Sequence, residues 1–170
     1  MTTSTVNLYS LNYTEAKTYL WAAAFILGNI ALPQLFHLIP QGGMIFLPIY
    51  FFTLVGAYKF GWKVGLLTAI LSPLINSILF DMPATAVLPN ILIKSVVLAL
   101  VAGFVAQRYQ KVTLALLVAV VIGYQLFGGL GEWALTGSLN AALQDIRLGL
   151  PGILLQIFGC YFLINYVIRK

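Results

Sequence analysis

Lys94 is the one charged side chain between Asp81 and Arg108, in a run that is otherwise apolar or weakly polar. An ammonium in the middle of a bilayer costs about 2.5–3.5 kcal/mol on insertion scales, so it needs a carboxylate, a ligand or a route to the headgroups. Glu132 and Asp145 are its candidate partners. Asn90 stands four residues before Lys94, one helical turn away on the same face. Gln125, Gly128, Gly129 and Glu132 follow at i, i+3, i+4 and i+7, which also puts them on one face. Two glycines between two polar side chains suit either close helix packing or a groove for a ligand ring. Trp133 beside them reads as an aromatic anchor at the membrane boundary or as a stacking wall. Gln41, Asn76, Asn140, Gln144 and Arg147 complete the candidate substrate-binding set. Such groups do the chemistry of recognition, by ion pairing and hydrogen bonding.

They do not suggest catalysis. The chain holds one histidine, His37, and one cysteine, Cys160, with four scattered acids, so no metal cluster is expected. Ser72 precedes a proline and has no predictable base. Gly129-Leu130-Gly131 lacks the third glycine of a dinucleotide fingerprint, and no phosphate-cradling Gly-x-x-x-x-Gly-Lys-Ser/Thr run exists. No enzyme activity, catalytic residue, metal or cofactor is predicted. Cys160 reads as a small buried hydrophobe.

The elements that must position these groups follow from composition. Of 170 residues, 61% are hydrophobic and 8% charged, and the mean hydropathy is +0.99. A soluble domain carries about 25% charged residues. These values exclude a soluble enzyme, a nucleic-acid binder and a disordered chain, despite a net charge of +5. They predict an all-α polytopic membrane protein.

A crossing needs about 20 apolar residues. The charge-free runs are 18–58, 64–80, 112–131 and 148–168. Pro40-Gln41-Gly42-Gly43 divides the first, predicting transmembrane helices near 17–39 and 44–60. Others are expected over about 62–80, 84–107, 112–136 and 149–168, with Asp81-Met82-Pro83 as a turn. Residues 1–16 read as a cytoplasmic N-terminal tail, with room for a short surface helix, and 17–170 as a single six-helix membrane domain. Residues 137–150 form a short outer amphipathic helix between helices 5 and 6. Leu139, Leu143, Ile146 and Leu150 supply its apolar face and Ser138 its N-cap. It could be a lid or a passive interfacial helix.

Six crossings put Lys17, Lys59, Lys63, Arg108, Lys111, Arg169 and Lys170 on one side and only Arg147 on the other. The positive-inside rule then places both termini in the cytoplasm, whereas five crossings would scatter these charges. Trp21, Tyr58, Trp62 and Tyr109 fall near the inner boundary. Polar groups gather in the outer half, making a polar mouth above an apolar floor, which suits capture of a polar molecule from outside. The Gly42-Gly43 loop on the rim can open and close. Ala24, Gly28 and Ala31 form a small-residue face on helix 1, for a partner helix in this chain or in another subunit.

The whole chain resembles the S components of energy-coupling factor (ECF) transporters. The resemblance rests on six helices with both ends inside, the Pro-Gln-Gly-Gly loop after helix 1, and Gly65-Leu66-Leu67…Ser72-Pro73 leading to Asp81-Met82-Pro83. It implies a multi-pass subunit of a bacterial or archaeal cytoplasmic membrane. Such a subunit binds a water-soluble vitamin or vitamin precursor at the extracytoplasmic side for ATP-driven uptake. Its partners are a membrane coupling subunit and two cytoplasmic ATPases. The family docks through an Ala-xxx-Ala face on helix 1, to which Ala24 and Gly28 correspond. Many relatives carry a carboxylate in the middle of helix 4, where this chain has Lys94. A lysine there favours a carboxylate-bearing or polar heterocyclic ligand; neutralised by Glu132, it would admit a neutral or cationic one. The alternative is an autonomous small-molecule carrier or channel.

Overall fold

The computed structural model describes residues 6–169. The expectations for residues 1–5 and the inner charge of Lys170 lie outside the described residues. The fold is all-α, with no strand among the described residues. In order come α1 (Ala16–Phe36), α2 (Gly42–Phe46), a 3-10 turn (Pro48–Tyr50), α3 (Phe51–Phe60) and α4 (Trp62–Phe80). Then follow α5 (Leu88–Tyr109), α6 (Leu114–Thr136), the short α7 (Leu139–Ala142) and α8 (Gln144–Leu148), and a last helix over Leu150–Val167. Five of these, α1, α4, α5, α6 and the last helix, are long and apolar enough to cross a bilayer. The chain is a multi-pass membrane protein. Its outer surface is correspondingly greasy: Leu27, Ile78, Phe104 and Phe127 are each more than 60% exposed.

The uninterrupted second helix expected over 44–60 is absent. Three short pieces stand in its place, broken at Leu47, which adopts a left-handed backbone (φ 47°, ψ 44°). The reason is Pro48. Proline has no N–H to donate and disfavours the helical region for the residue before it. Leu47 therefore leaves the helix, and the chain restarts in a 3-10 turn with the proline at its start. The last helix is irregular too, with π turns over Leu155–Gly159 and Leu163–Val167. The outer helix is split into α7 and α8, although Ser138 Oγ does accept the Ala141 N–H at 3.3 Å as its cap. Of its expected apolar face, Leu139, Ile146 and Leu150 are exposed among the described residues.

The core is a column of fully buried side chains that includes Leu54, Val55, Tyr58, Val64, Leu98, Leu117, Val120 and Ile164. α5 packs between α4 and α6 and also touches α3. The basic end of the bundle is tied together by side chains reaching backbone oxygens. Tyr58 Oη donates to Lys111 O at 2.7 Å, and Lys59 Nζ donates to Asn7 O and Arg169 O. Tyr58 is thus a core residue and not part of an aromatic belt, and Trp21 stacks on Phe60 with centroids 4.2 Å apart. Residues 6–15 are not a helix. They form a strap across this end, where the Tyr9 and Leu11 amides donate to Lys59 O and Phe60 O. Those carbonyls end α3 and would otherwise lack partners.

Asn29 joins three helices. Its Nδ2 donates to Thr53 Oγ1 and to Ser72 Oγ at 3.1 Å each, and its Oδ1 accepts the Phe52 amide at 3.1 Å. The Phe52 N–H lies in the first turn of α3 and has no partner within that helix. Pro33 cannot bond back to Asn29 O, which a residue with an N–H would do. Asn76 Nδ2 fills that gap by donating to Asn29 O at 2.9 Å. Every member of this cluster except Phe52 is fully buried. Replacing Asn29 by alanine would leave a buried amide unsatisfied, at about 1–3 kcal/mol. We expect Asn29→Ala to lower unfolding stability by that amount in a denaturant titration in micelles. Asn165→Ala, which removes only a bond to Tyr161 O one turn back, should cost about 0.5 kcal/mol or less.

Candidate functional site

The centre of the site is Lys94, supplied by α5. Its side chain is 3% exposed and touches two carboxylates, Glu132 on α6 and Asp145 on α8. The contact to Asp145 Oδ2 is 2.8 Å. Asn90, one turn earlier on α5, donates to Glu132 Oε1 at 3.2 Å. Three helices thus bring Glu132, Asp145 and Asn90 around one ammonium. The α6 glycines make this approach possible. A Cβ on Gly128 would sit 2.9 Å from Lys94 Cγ, and one on Gly129 would face Ala142 O at 3.6 Å. The groove between Gln125 and Glu132 is therefore filled by the stem of Lys94 and by α7; it does not hold a ligand ring.

Below this centre lies a second polar layer. Gln125 Nε2 donates to Tyr124 Oη at 2.9 Å, and Tyr124 Oη donates to Gln156 Oε1 at 3.0 Å. Gln156 is fully buried within the first π turn of the last helix. The floor is accordingly less apolar than expected, but it is closed: Tyr124, Leu98 and Leu117 have no exposure.

Beside the centre opens a cavity of about 570 Å³. Pro33 and His37 from the end of α1, the broken segment from Gln41 to Tyr50, the turn Asp81–Ala84 and Ile91 of α5 form its wall. Asp145 is the member of the ion-pair group that also lines the cavity. Tyr50, 3% exposed, lines it too, and its ring lies 5.8 Å from that of Tyr124.

The ten candidates do not all converge. Asn90, Lys94 and Glu132 form the centre, Gln125 the layer beneath, and Gln41 the cavity wall. Gln144 lies at the edge, its Nε2 3.1 Å from the sulfur of the lining residue Met44. Asn76 instead belongs to the Asn29 cluster between α1 and α4, because Pro33 leaves a carbonyl there for it. Trp133 is 48% exposed and is not a wall of the cavity. Arg147 Nη1 donates to Asn140 Oδ1 at 3.3 Å, and both are exposed away from the wall. On α1, Ala24 and Ala31 are exposed, but Gly28 faces inward: a Cβ there would lie 2.7 Å from the Phe52 ring. Tyr50 and Asp145 were not among the expected binding residues. Pro48, the signal for a bend that turns Tyr50 toward the rim, was present in the sequence. Among the described residues no group of three or more His, Cys, Asp or Glu side chains could hold a metal ion.

Removing one member of a buried ion-pair group costs about 3–5 kcal/mol, because the partner charges stay buried without compensation. We expect Lys94→Met to destabilise the protein by that amount. Adding Glu132→Gln and Asp145→Asn should recover at least half of the loss, measured by denaturant titration in micelles. A scan of protein-family models, a search of curated proteins and a search of solved structures each return no match, so the chain's chemistry rests on its own geometry.

Proposed function

We propose that this chain is the substrate-capture subunit of an ECF-type transporter, taking a small water-soluble vitamin or vitamin precursor into the cavity beside Lys94. The observation that carries this reading is an asymmetric bundle. One end holds an open cavity with a buried polar centre behind it. The other end carries Lys59, Lys63, Arg108 and Lys111 and is closed by the strap of residues 6–15. A cavity with a closed floor suits capture better than free passage. The clustered positive charge supports a cytoplasmic orientation for that end and an outward-facing mouth. On this reading the broken segment 42–60 is the sixth crossing, starting at the rim and ending at Lys59. Its backbone breaks where it lines a cavity, which is where irregular backbone is tolerated at membrane depth.

Energy and release would come from partners: a membrane coupling subunit and two cytoplasmic ATPases. The exposed stripe Leu20, Ala24, Leu27, Ala31 and Leu35 on α1 offers a docking face with small residues at its centre. Gly28 is left out of that face, since a larger side chain there strikes Phe52 of its own chain. The test is uptake in proteoliposomes of whatever small molecule co-purifies, identified by mass spectrometry. We expect uptake to require ATP and added coupling subunits. Uptake by the chain alone would establish an autonomous carrier or channel instead. Ala24→Trp should retain the co-purifying molecule while reducing coupled uptake about ten-fold or more, the scale of 1.4 kcal/mol in docking.

A further inference from the structure

The charges around the cavity specify its ligand more narrowly. Two carboxylates against one ammonium leave the Lys94 group with a formal excess of one negative charge. The buried lysine is not a cavity-lining residue, whereas Asp145 is. The Asp145 side chain is 19% exposed, and Lys94 engages its Oδ2. Asp81 adds a second carboxylate to the wall, and neither lysine nor arginine lines it. The one lining residue able to carry positive charge is His37, which is exposed at the rim. Arg147, the nearest arginine in sequence to Asp145, bonds to Asn140 instead.

We propose that the cavity binds an organic cation, with its positive nitrogen paired to the Asp145 carboxylate and its apolar body against Tyr50, Met44, Leu47 and Ile91. This rests on the capture reading above and reverses the leaning toward a carboxylate-bearing ligand. A charged nitrogen that donates to a carboxylate makes a bond about twice as strong as a neutral pair. The Tyr50 ring adds attraction, because its π face is negative and a desolvated cation over an aromatic face gains further stability. Among the described residues the Tyr50 hydroxyl makes no side-chain hydrogen bond, and Tyr50 lines the cavity, which leaves this hydroxyl to a ligand. An anion would instead meet two carboxylates. To reach Lys94 it would have to expel Asp145 and leave that charge unpaired. The chemical class is a protonated amine or an amidinium, whose N–H groups donate to the carboxylate, on a compact apolar frame.

The experiment uses three probes of matched shape on the full chain in nanodiscs: benzylamine, benzyl alcohol and phenylacetate. Binding is read by saturation-transfer NMR, with empty nanodiscs subtracted. Benzylamine should bind about ten-fold more tightly than benzyl alcohol, and phenylacetate more weakly than both. Asp145→Asn should erase the advantage of benzylamine, while Glu132 keeps Lys94 paired and the fold intact by circular dichroism. Ala84→Trp, which fills the cavity from the rim, should abolish all binding. If benzyl alcohol or phenylacetate binds best and Ala84→Trp removes that binding, the cavity still captures small molecules and the cation assignment is overturned. If Asp145→Asn leaves the benzylamine advantage intact, the assignment is likewise overturned. Absence of saturable binding by all three probes overturns it together with the capture reading.

Discussion

Hydrocarbon gives no hydrogen bonds, so a polar group carried into this bundle is costly unless it finds a partner inside it. That constraint explains the two buried polar clusters. Around Asn29, one side chain supplies both donors and an acceptor to groups on two other helices. Around Lys94, one ammonium is matched by two carboxylates brought from α6 and α8. Neither cluster is a surface decoration. Each sits where apolar packing would otherwise be cheaper, and each ties helices that are distant in sequence.

The two clusters differ in what they leave over. The Asn29 cluster fills vacancies created by Pro33 and by the start of α3, and it is closed to the cavity. The Lys94 group is over-supplied with acid, and its outermost carboxylate reaches the cavity wall. One cluster faces only protein, and the other keeps a carboxylate at the cavity.

Backbone irregularity follows the same division. α4, α5 and α6 run unbroken past the core. The breaks beside the cavity and the Gln156 layer are Leu47–Tyr50 and the first π turn of the last helix; the second π turn, Leu163–Val167, lies toward the basic end. A π turn widens the helix locally and often marks a functional position. Here it carries Gln156, which accepts from Tyr124 beneath the cavity. Rigid helices hold the charged centre, and the irregular segments shape the space next to it.

Much of this architecture was legible in the residues themselves. Long apolar runs between charges located α1, α4, α5, α6 and the last helix to within a few residues, because hydrocarbon thickness dictates their length. Helical periodicity put Asn90 with Lys94 and Gln125 with Glu132, and each set does share a face, buried except at the half-buried Asn90. The spacing of polar residues could not separate Asn76, which completes a helix contact, from Asn90, which serves the charged centre. Both are asparagines near helix ends opposite the basic end of the bundle, and the difference is only which neighbour lies opposite. Nor could it choose between Glu132 and Asp145 as the partner of Lys94, since the fold of α7 and α8 over α6 supplies both. The sequence determined how many polar groups enter the membrane and on which helices. The tertiary structure alone decided which of them neutralise one another and which carboxylate remains turned to the cavity, because charge balance depends on distances across helices that no spacing along one helix contains.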